Sequence, residues 1–365
     1  MYKRVAIKIG SNVLTRPDGG LDVTRISSIA DQLADLLGAG IEVVVVSSGA
    51  VASGRSEITL RSNLDDISAR QIYSSVGQVK LMNKYYDLLK DHSITCGQVL
   101  TTKDNFADRR RYLNQKSCIE GMLLSGILPI INENDAVSVT ELMFTDNDEL
   151  SGLIATMIGA EVLVILSNVD GIYDGDPSDP ASKVVPVIYP EKNSRLEKGL
   201  KPVRSSFGRG GIITKYRIAR KIAAEGVEVI IANGTRAGIL RDLLINGDNG
   251  VAATRFVAQE KTSSSVKRWI SHSDSFAKGE LHIDENALRA LSSGTATSLL
   301  PVGVTRVVGE FEKNDIVKVI GPDGRTAGVG KVAYGSADAA AMVGVKGGRP
   351  LIHYDYLCLT RESQP

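Results

Sequence analysis

Glu42-Val43-Val44-Val45-Val46, followed at once by Ser47-Ser48-Gly49-Ala50, is the stretch that decides the fold class. Four consecutive valines show no period-two alternation, so the strand they form has both faces covered. Such strands belong to parallel sheets packed between helical layers, not to half-wet antiparallel ones. The small residues behind the valines let a helix start close to a ligand, with free backbone N–H groups aimed at an anion. An ordinary helix N-cap has the same composition, so the segment alone leaves both readings open.

The pattern repeats outward from this strand. On its N-terminal side residues 5–9 predict another strand. A helix capped by Asp22 or Thr24 then runs through Ile26, Ile29, Leu33 and Leu36, and Gly38 and Gly40 end it. On the C-terminal side helices are predicted over 68–89, 110–125, 149–158 and 212–224, with Gly226 stopping the last. Strands are predicted over 94–100, 128–131, 162–166 and 227–231. Repeated strand–helix–strand order with continuous apolar strands predicts an α/β layered fold with a mainly parallel sheet. Ligands in such sheets sit beyond the carboxyl ends of the strands.

From about residue 256 the texture changes. Residues 259–268 are polar and serine-rich, as linkers are. Short strands follow over 278–284, 304–308, 316–320 and 327–332, and Gly321-Pro322-Asp323-Gly324 marks a turn between the last two. The predicted organisation is a catalytic domain over 1–258, a linker over 259–275 and a small β-rich domain over 276–358.

Composition narrows the function classes. The chain has 365 residues, 43% hydrophobic, with a formal net charge of +1, so no global field recruits nucleic acid or basic partners. Cys96, Cys118 and Cys358 are far apart, odd in number and without metal-ligand spacing, which predicts reduced packing thiols. The N-terminus enters a strand-like run at once, and the apolar runs fall far short of the ~20 residues of a membrane helix. The expectation is a soluble, cytoplasmic protein.

Four strand ends carry unusual residues. Lys8-Ile9-Gly10-Ser11-Asn12 offers an ammonium and a glycine turn that suit a phosphate; a snorkelling strand lysine would look alike. Ser47-Ser48-Gly49-Ala50 is the second. Asn132-Glu133-Asn134-Asp135, with Asp146-Asn147-Asp148-Glu149 further on, concentrates groups that repel unless amines or Mg²⁺ bind there; helix caps and solvated acids are the bland alternative. Gly208-Arg209-Gly210-Gly211-Ile212-Ile213-Thr214-Lys215 opens a helix with glycines that permit close approach to phosphates, though Gly-Lys-Ser/Thr of a Walker A loop is absent. Jointly they supply what phosphoryl transfer needs, positioning and positive charge. His92, His272, His282 and His353 are scattered, and none adjoins these motifs.

Residues 5–11, 46–54, 131–135, 145–151 and 210–215 together resemble the glutamate 5-kinases of the amino acid kinase superfamily, and the resemblance extends to a C-terminal domain similar to a PUA domain. Single motifs are shared with acetylglutamate kinase, aspartokinase and uridylate kinase. The Asn-Glu-Asn-Asp and Asp-Asn-Asp pair with a trailing PUA domain is far more specific. The resemblance implies a three-layer α/β sandwich that uses ATP and Mg²⁺ to phosphorylate the side-chain carboxylate of L-glutamate, opening proline synthesis. It implies Lys8, Asp148 and Lys215 as the catalytic set, the lysines neutralising the migrating phosphoryl group and Asp148 orienting them. Ser48, Asp135 and Asn147 would hold glutamate. Lys8, Gly10, Ser167, Asn168, Arg209, Gly210, Gly211, Ile212, Ile213, Thr214 and Lys215 would line the ATP site, with the Gly10 N–H on the phosphates. No protein metal ligand is assigned. Proline as feedback inhibitor, a homodimer or homotetramer, and association with glutamyl phosphate reductase are further implications, and RNA binding by the PUA domain is left open. Two departures stand out: Ser167-Asn168 replaces the commoner Thr-Asp, and Arg209 and Ile213 stand where Thr and Ser are usual. The rivals are a kinase acting on aspartate or N-acetylglutamate, and an RNA-binding PUA protein.

Overall fold

A computed structural model describes residues 2–61, 64–138, 144, 146–176, 179, 181–190, 211–247, 250–260, 270, 277–293 and 297–359. The chain forms two compact units, one of residues 1–102 and 114–261, the other of residues 103–113 and 262–365. The 103–113 segment of the second unit has no signal in the sequence pattern. Most of the predicted 259–275 linker lies outside the described residues.

The first unit is built on β1 (Arg4–Ile9), β2 (Glu42–Ser47), β3 (Cys96–Thr101), β4 (Leu128–Glu133), β5 (Val162–Ser167), β6 (Val187–Ile188), β7 (Glu228–Asn233) and β8 (Ala253–Phe256). They form one sheet in the order β3-β4-β2-β1-β5-β7-β8-β6. Pairing is parallel throughout except between β7 and β8. The chain builds outward from β1 through β2 and β4 on one side, then crosses to β5 and β7 on the other. The switch falls at β1, so the carboxyl ends of β1, β2 and β5 flank the natural ligand crevice.

The helices in chain order are α1 (Ser11–Leu14), α2 (Val23–Gly38), α3 (Ala50–Glu57), α4 (Asp66–Lys90), α5 (Asp104–Ala107), α6 (Arg109–Leu124), α7 (Asn147–Ile158), α8 (Ile212–Ala224) and α9 (Ile239–Leu244). Along β1, Val5, Ile7 and Ile9 join Ile26, Leu33, Leu81 and Leu240 in one core layer. Alternation turns Ala6 and Lys8 to the opposite face, where α7 packs. Capping follows local rules: Asp22 accepts from the Arg25 N–H at the start of α2, and Gly159, with φ +66°, closes α7. The helix α3, the short strand β6, the helix α9 and the antiparallel β8 are not foreseen by the sequence pattern.

The second unit holds β9 (Gly279–Ile283), β10 (Val304–Val308), β11 (Ile316–Ile320), β12 (Thr326–Lys331) and β13 (Leu357–Leu359), ordered β10-β9-β11-β12-β13, with α10 (Glu285–Ser292) and α11 (Ser336–Ala341). Leu281, Val317, Val319, Leu351 and Ile352 share its core. The predicted turn joins β11 to β12: Gly324 has φ +77°, and the Gly321 N–H donates to Arg325 O at 2.8 Å. No helix among the described residues is long and apolar enough to cross a membrane.

Candidate active site

Asp148 lies in the first turn of α7, fully buried, facing β1. Lys8 Nζ sits 2.6 Å from its Oδ1, an ion contact oblique to hydrogen-bond geometry. From α8, Lys215 Nζ donates to Oδ2 at 2.8 Å. Two ammonium groups remote in sequence thus converge on one buried carboxylate. Close packing of α7 against α8 sets the meeting. A Cβ on Gly152, one turn beyond Asp148, would stand 2.7 Å from Ile222 Cδ1, so only glycine lets α8 come this near.

Electrostatics binds the cluster. Burial alone would raise the Asp148 pKa, but the charges of Lys8 and Lys215 outweigh it and hold the carboxyl down at about 2. Burial works to lower the Lys215 pKa, yet Asp148 turns the net shift upward. Asp146 behaves oppositely. Its Oδ1 caps α7, accepting the N–H groups of Asp148 (2.9 Å) and Glu149 (3.0 Å), while its buried Oδ2 has no hydrogen-bond partner among the described residues. Burial, then the neighbouring Asp148 charge, push Asp146 up to about 6 in spite of Lys8.

Ser48 and Asn147 meet on the other side. Asn147 Nδ2 lies 2.9 Å from Ser47 O, 3.0 Å from Ser48 Oγ and 2.9 Å from Asn132 Oδ1. Asn132 in turn donates to Gln78 Oε1 at 2.8 Å. Asp135 is buried and held from α4: Arg70 Nε and Nη2 donate to its Oδ1 at 2.8 and 2.6 Å. Arg70 carries no sequence signal of its own. A polar stripe at Arg70, Ser74 and Gln78, spaced by four on a helix, is the only hint that could have found it.

At the carboxyl end of β5, Ser167 ends the strand and is buried, whereas Asn168 is exposed. A carboxylate two residues on, Asp170, accepts from Asn233 Nδ2 at 3.0 Å and pairs with Arg236 at 2.9 Å. Gly211 caps α8 without a side-chain hydrogen bond, and Ile212, Ile213 and Thr214 form a half-buried first turn. The free N–H groups of such a turn suit an anion. Arg209 and Gly210 lie outside the described residues. One expectation needs correction: the Gly10 N–H is not free for a phosphate, because it donates to Leu166 O at 3.1 Å. Gly10 instead provides room, since a Cβ there would stand 3.0 Å from Leu166 O and 3.5 Å from Lys8 Nζ.

Known proteins resemble the chain over nearly its whole length. The model of the amino acid kinase family matches residues 3–233, and that of the PUA domain matches residues 279–349. The chain is 56% identical over 356 residues to the glutamate 5-kinase of Bacteroides thetaiotaomicron, covering 98% of each. It is 44% identical over 360 residues to that of Chlorobaculum tepidum, again covering 98% of each. Among solved structures, the carbamate kinase from Giardia lamblia bound to AMP-PNP shares the fold, with a TM-score of 0.52 at 18% identity over 70% of this chain and 99% of that one. The chain therefore belongs to the amino acid kinase family and, within it, to the glutamate 5-kinases, with a PUA domain following the kinase domain.

Proposed function

We infer that the protein transfers the γ-phosphoryl group of ATP to the side-chain carboxylate of L-glutamate, giving ADP and L-glutamyl 5-phosphate, the first step of proline biosynthesis. Kinship supplies the substrate class, and the observation that carries the chemistry is the buried Lys8–Asp148–Lys215 cluster. A glutamate carboxylate, with a pKa of about 4.3, is already a nucleophile at neutral pH and needs no general base. The obstacle is repulsion between that carboxylate and the triphosphate. Lys8 and Lys215 answer it with two positive charges preorganised in a site shielded from water. Asp148 keeps the Lys215 ammonium charged and aims both lysines. Ser48, Asn147 and Asp135 hold glutamate. Ser167, Asn168 and residues 209–215 line the nucleotide.

Mg²⁺ fits the residues present. Asp146 Oδ2 is a hard, buried oxygen without a hydrogen-bond partner among the described residues, and Mg²⁺ characteristically takes one or two carboxylates together with substrate phosphates. Among the described residues no cluster of three or more His, Cys, Asp or Glu side chains could hold the ion alone. Held by Asp146 together with the substrate phosphates, the ion would supply further neutralisation of phosphate charge.

The domain limits we assign are 1–258 for the kinase domain, 259–275 for the linker and 276–358 for the PUA domain. Cytoplasmic location, assembly as a homodimer or homotetramer, inhibition by proline relieved by glutamate, and association with glutamyl phosphate reductase complete the reading. Initial-rate ADP release with L-glutamate, L-aspartate and N-acetylglutamate tests it. Activity with glutamate well above the other two is expected; activity confined to N-acetylglutamate overturns it.

A further inference from the structure

We propose that Arg70 is a specificity-determining residue, turning Asp135 so that one carboxylate oxygen is kept for the α-ammonium group of a free amino acid. The proposal rests on the glutamate kinase reading above.

The geometry is that of a template. Arg70, Ser74 and Gln78 recur every four residues on α4 and so share one face of it. All three reach the carboxyl end of β4. Gln78 fixes Asn132 at 2.8 Å, Ser74 Oγ stands 3.4 Å from Asp135 Oδ2, and Arg70 grips Asp135 Oδ1. An arginine facing a carboxylate usually pairs two nitrogens with two oxygens. Here Nε and Nη2 both fall on Oδ1, so among the described residues Oδ2 retains the long serine contact. Oδ2 is the acceptor left for a ligand.

Charge points the same way. Arg70 Nη2 is also 3.8 Å from Glu133 Oε2. Asp135 is buried with one oxygen turned away from the guanidinium, and the natural partner of that oxygen is a cation. A free α-amino group supplies that cation, whereas an N-acyl amide is neutral and leaves the carboxylate uncompensated in a buried place. The helix has no slack to let Arg70 drift. A Cβ on Gly77 would stand 1.8 Å from Ala50 O, and one on Gly54 1.8 Å from Tyr73 O, so α3 and α4 cross in backbone contact beside the stripe.

The test is steady-state kinetics of wild type, Arg70→Met and Arg70→Lys, with glutamate and N-acetylglutamate as acceptors and melting temperatures recorded alongside. Arg70→Met is expected to raise KM for glutamate by about 10²-fold, with kcat and KM for ATP within about threefold of wild type. The preference for glutamate over N-acetylglutamate in kcat/KM should shrink at least tenfold. Arg70→Lys retains the charge without the planar fork, and its KM is expected to settle about tenfold above wild type. An unchanged KM for glutamate in either variant overturns the proposal, as does a parallel fall of kcat and ATP affinity. If Arg70→Met does not fold, Arg70→Lys decides alone on the same KM-against-kcat split. Failure of the kinase reading looks different, because wild type itself then forms no ADP with glutamate.

Discussion

The two ends of the site are built differently and charged oppositely. At the phosphoryl end, Lys8 and Lys215 face Asp148, a formal balance of +1 that Asp146 offsets as it ionises near pH 6. At the end we assign to the amino acid, Arg70 grips Asp135 and stands 3.8 Å from Glu133 Oε2, so carboxylates gather around one guanidinium. The first end draws one residue each from a strand and two helices and buries them all; the second hangs from a single helical stripe whose arginine is a quarter exposed. The polarity matches a substrate with an ammonium group at one end and a developing phosphate at the other. The contrast predicts a division of labour: changes at the buried cluster act on kcat, changes on the α4 stripe act on KM for glutamate.

The largest effect expected is at the first end. Lys215→Ala should lower kcat by at least ~10²-fold, with KM for glutamate within about threefold. Stopped-flow or steady-state ADP release reads both, and a loss carried mainly by KM would break the division. Next comes the crossing that aims the stripe. In Gly77→Ala the new methyl carbon collides with Ala50 O and with Gly54 N, 2.4 Å away, so the helices must part. A destabilisation of about 3 kcal/mol is expected, seen as a fall of several degrees in melting temperature, with KM for glutamate rising more than KM for ATP.

A pH experiment sharpens the comparison further. The folded-state pKa of Asp146 is raised from 3.8 to about 6. Its contribution to stability is therefore complete below the unfolded value and lost as pH climbs through about 6, a change on the order of 2 kcal/mol. Asp148 has the reverse sign: its contribution is present above the unfolded value and lost as pH falls towards 2. In ligand-free Asp146→Asn, melting temperature should change less between pH 5 and pH 8 than in wild type, and an identical slope would contradict the assignment. The smallest effect is expected at Asn168. The side chain is exposed, so Asn168→Asp should move KM for ATP by less than about threefold, since exposed charges act weakly through solvent.

Much of this was legible in the chain. The continuous valines of β2 specify a doubly covered parallel strand, and Lys8 stands near the end of β1, where such folds bind ligands, while Asp148 and Lys215 open helices. Periodicity located α2, α4, α6, α7 and α8 but not α3, whose small residues Ala50, Ser53 and Gly54 show no apolar stripe because backbone contact with α4 replaces side-chain packing. What stayed hidden depends on tertiary contacts that no spacing encodes. Arg70 meets Asp135 because the fold sets one face of α4 against the carboxyl end of β4. Asp146 reads as an ordinary N-cap, and its second oxygen becomes exceptional only once α7 is buried. The Gly10 N–H looked available until β5 brought Leu166 O against it.

The central claim is that Lys8 and Lys215, gathered by Asp148, stabilise one transferring phosphoryl group as a unit. A double-mutant cycle on the single-turnover transfer rate tests it, with Lys8→Met, Lys215→Met and the double variant, each at saturating ATP and glutamate. The account predicts that each single change slows transfer by about 10²-fold or more and that the double variant is at most about tenfold slower than the worse single one. A transfer rate within about threefold of wild type in either single variant would contradict it.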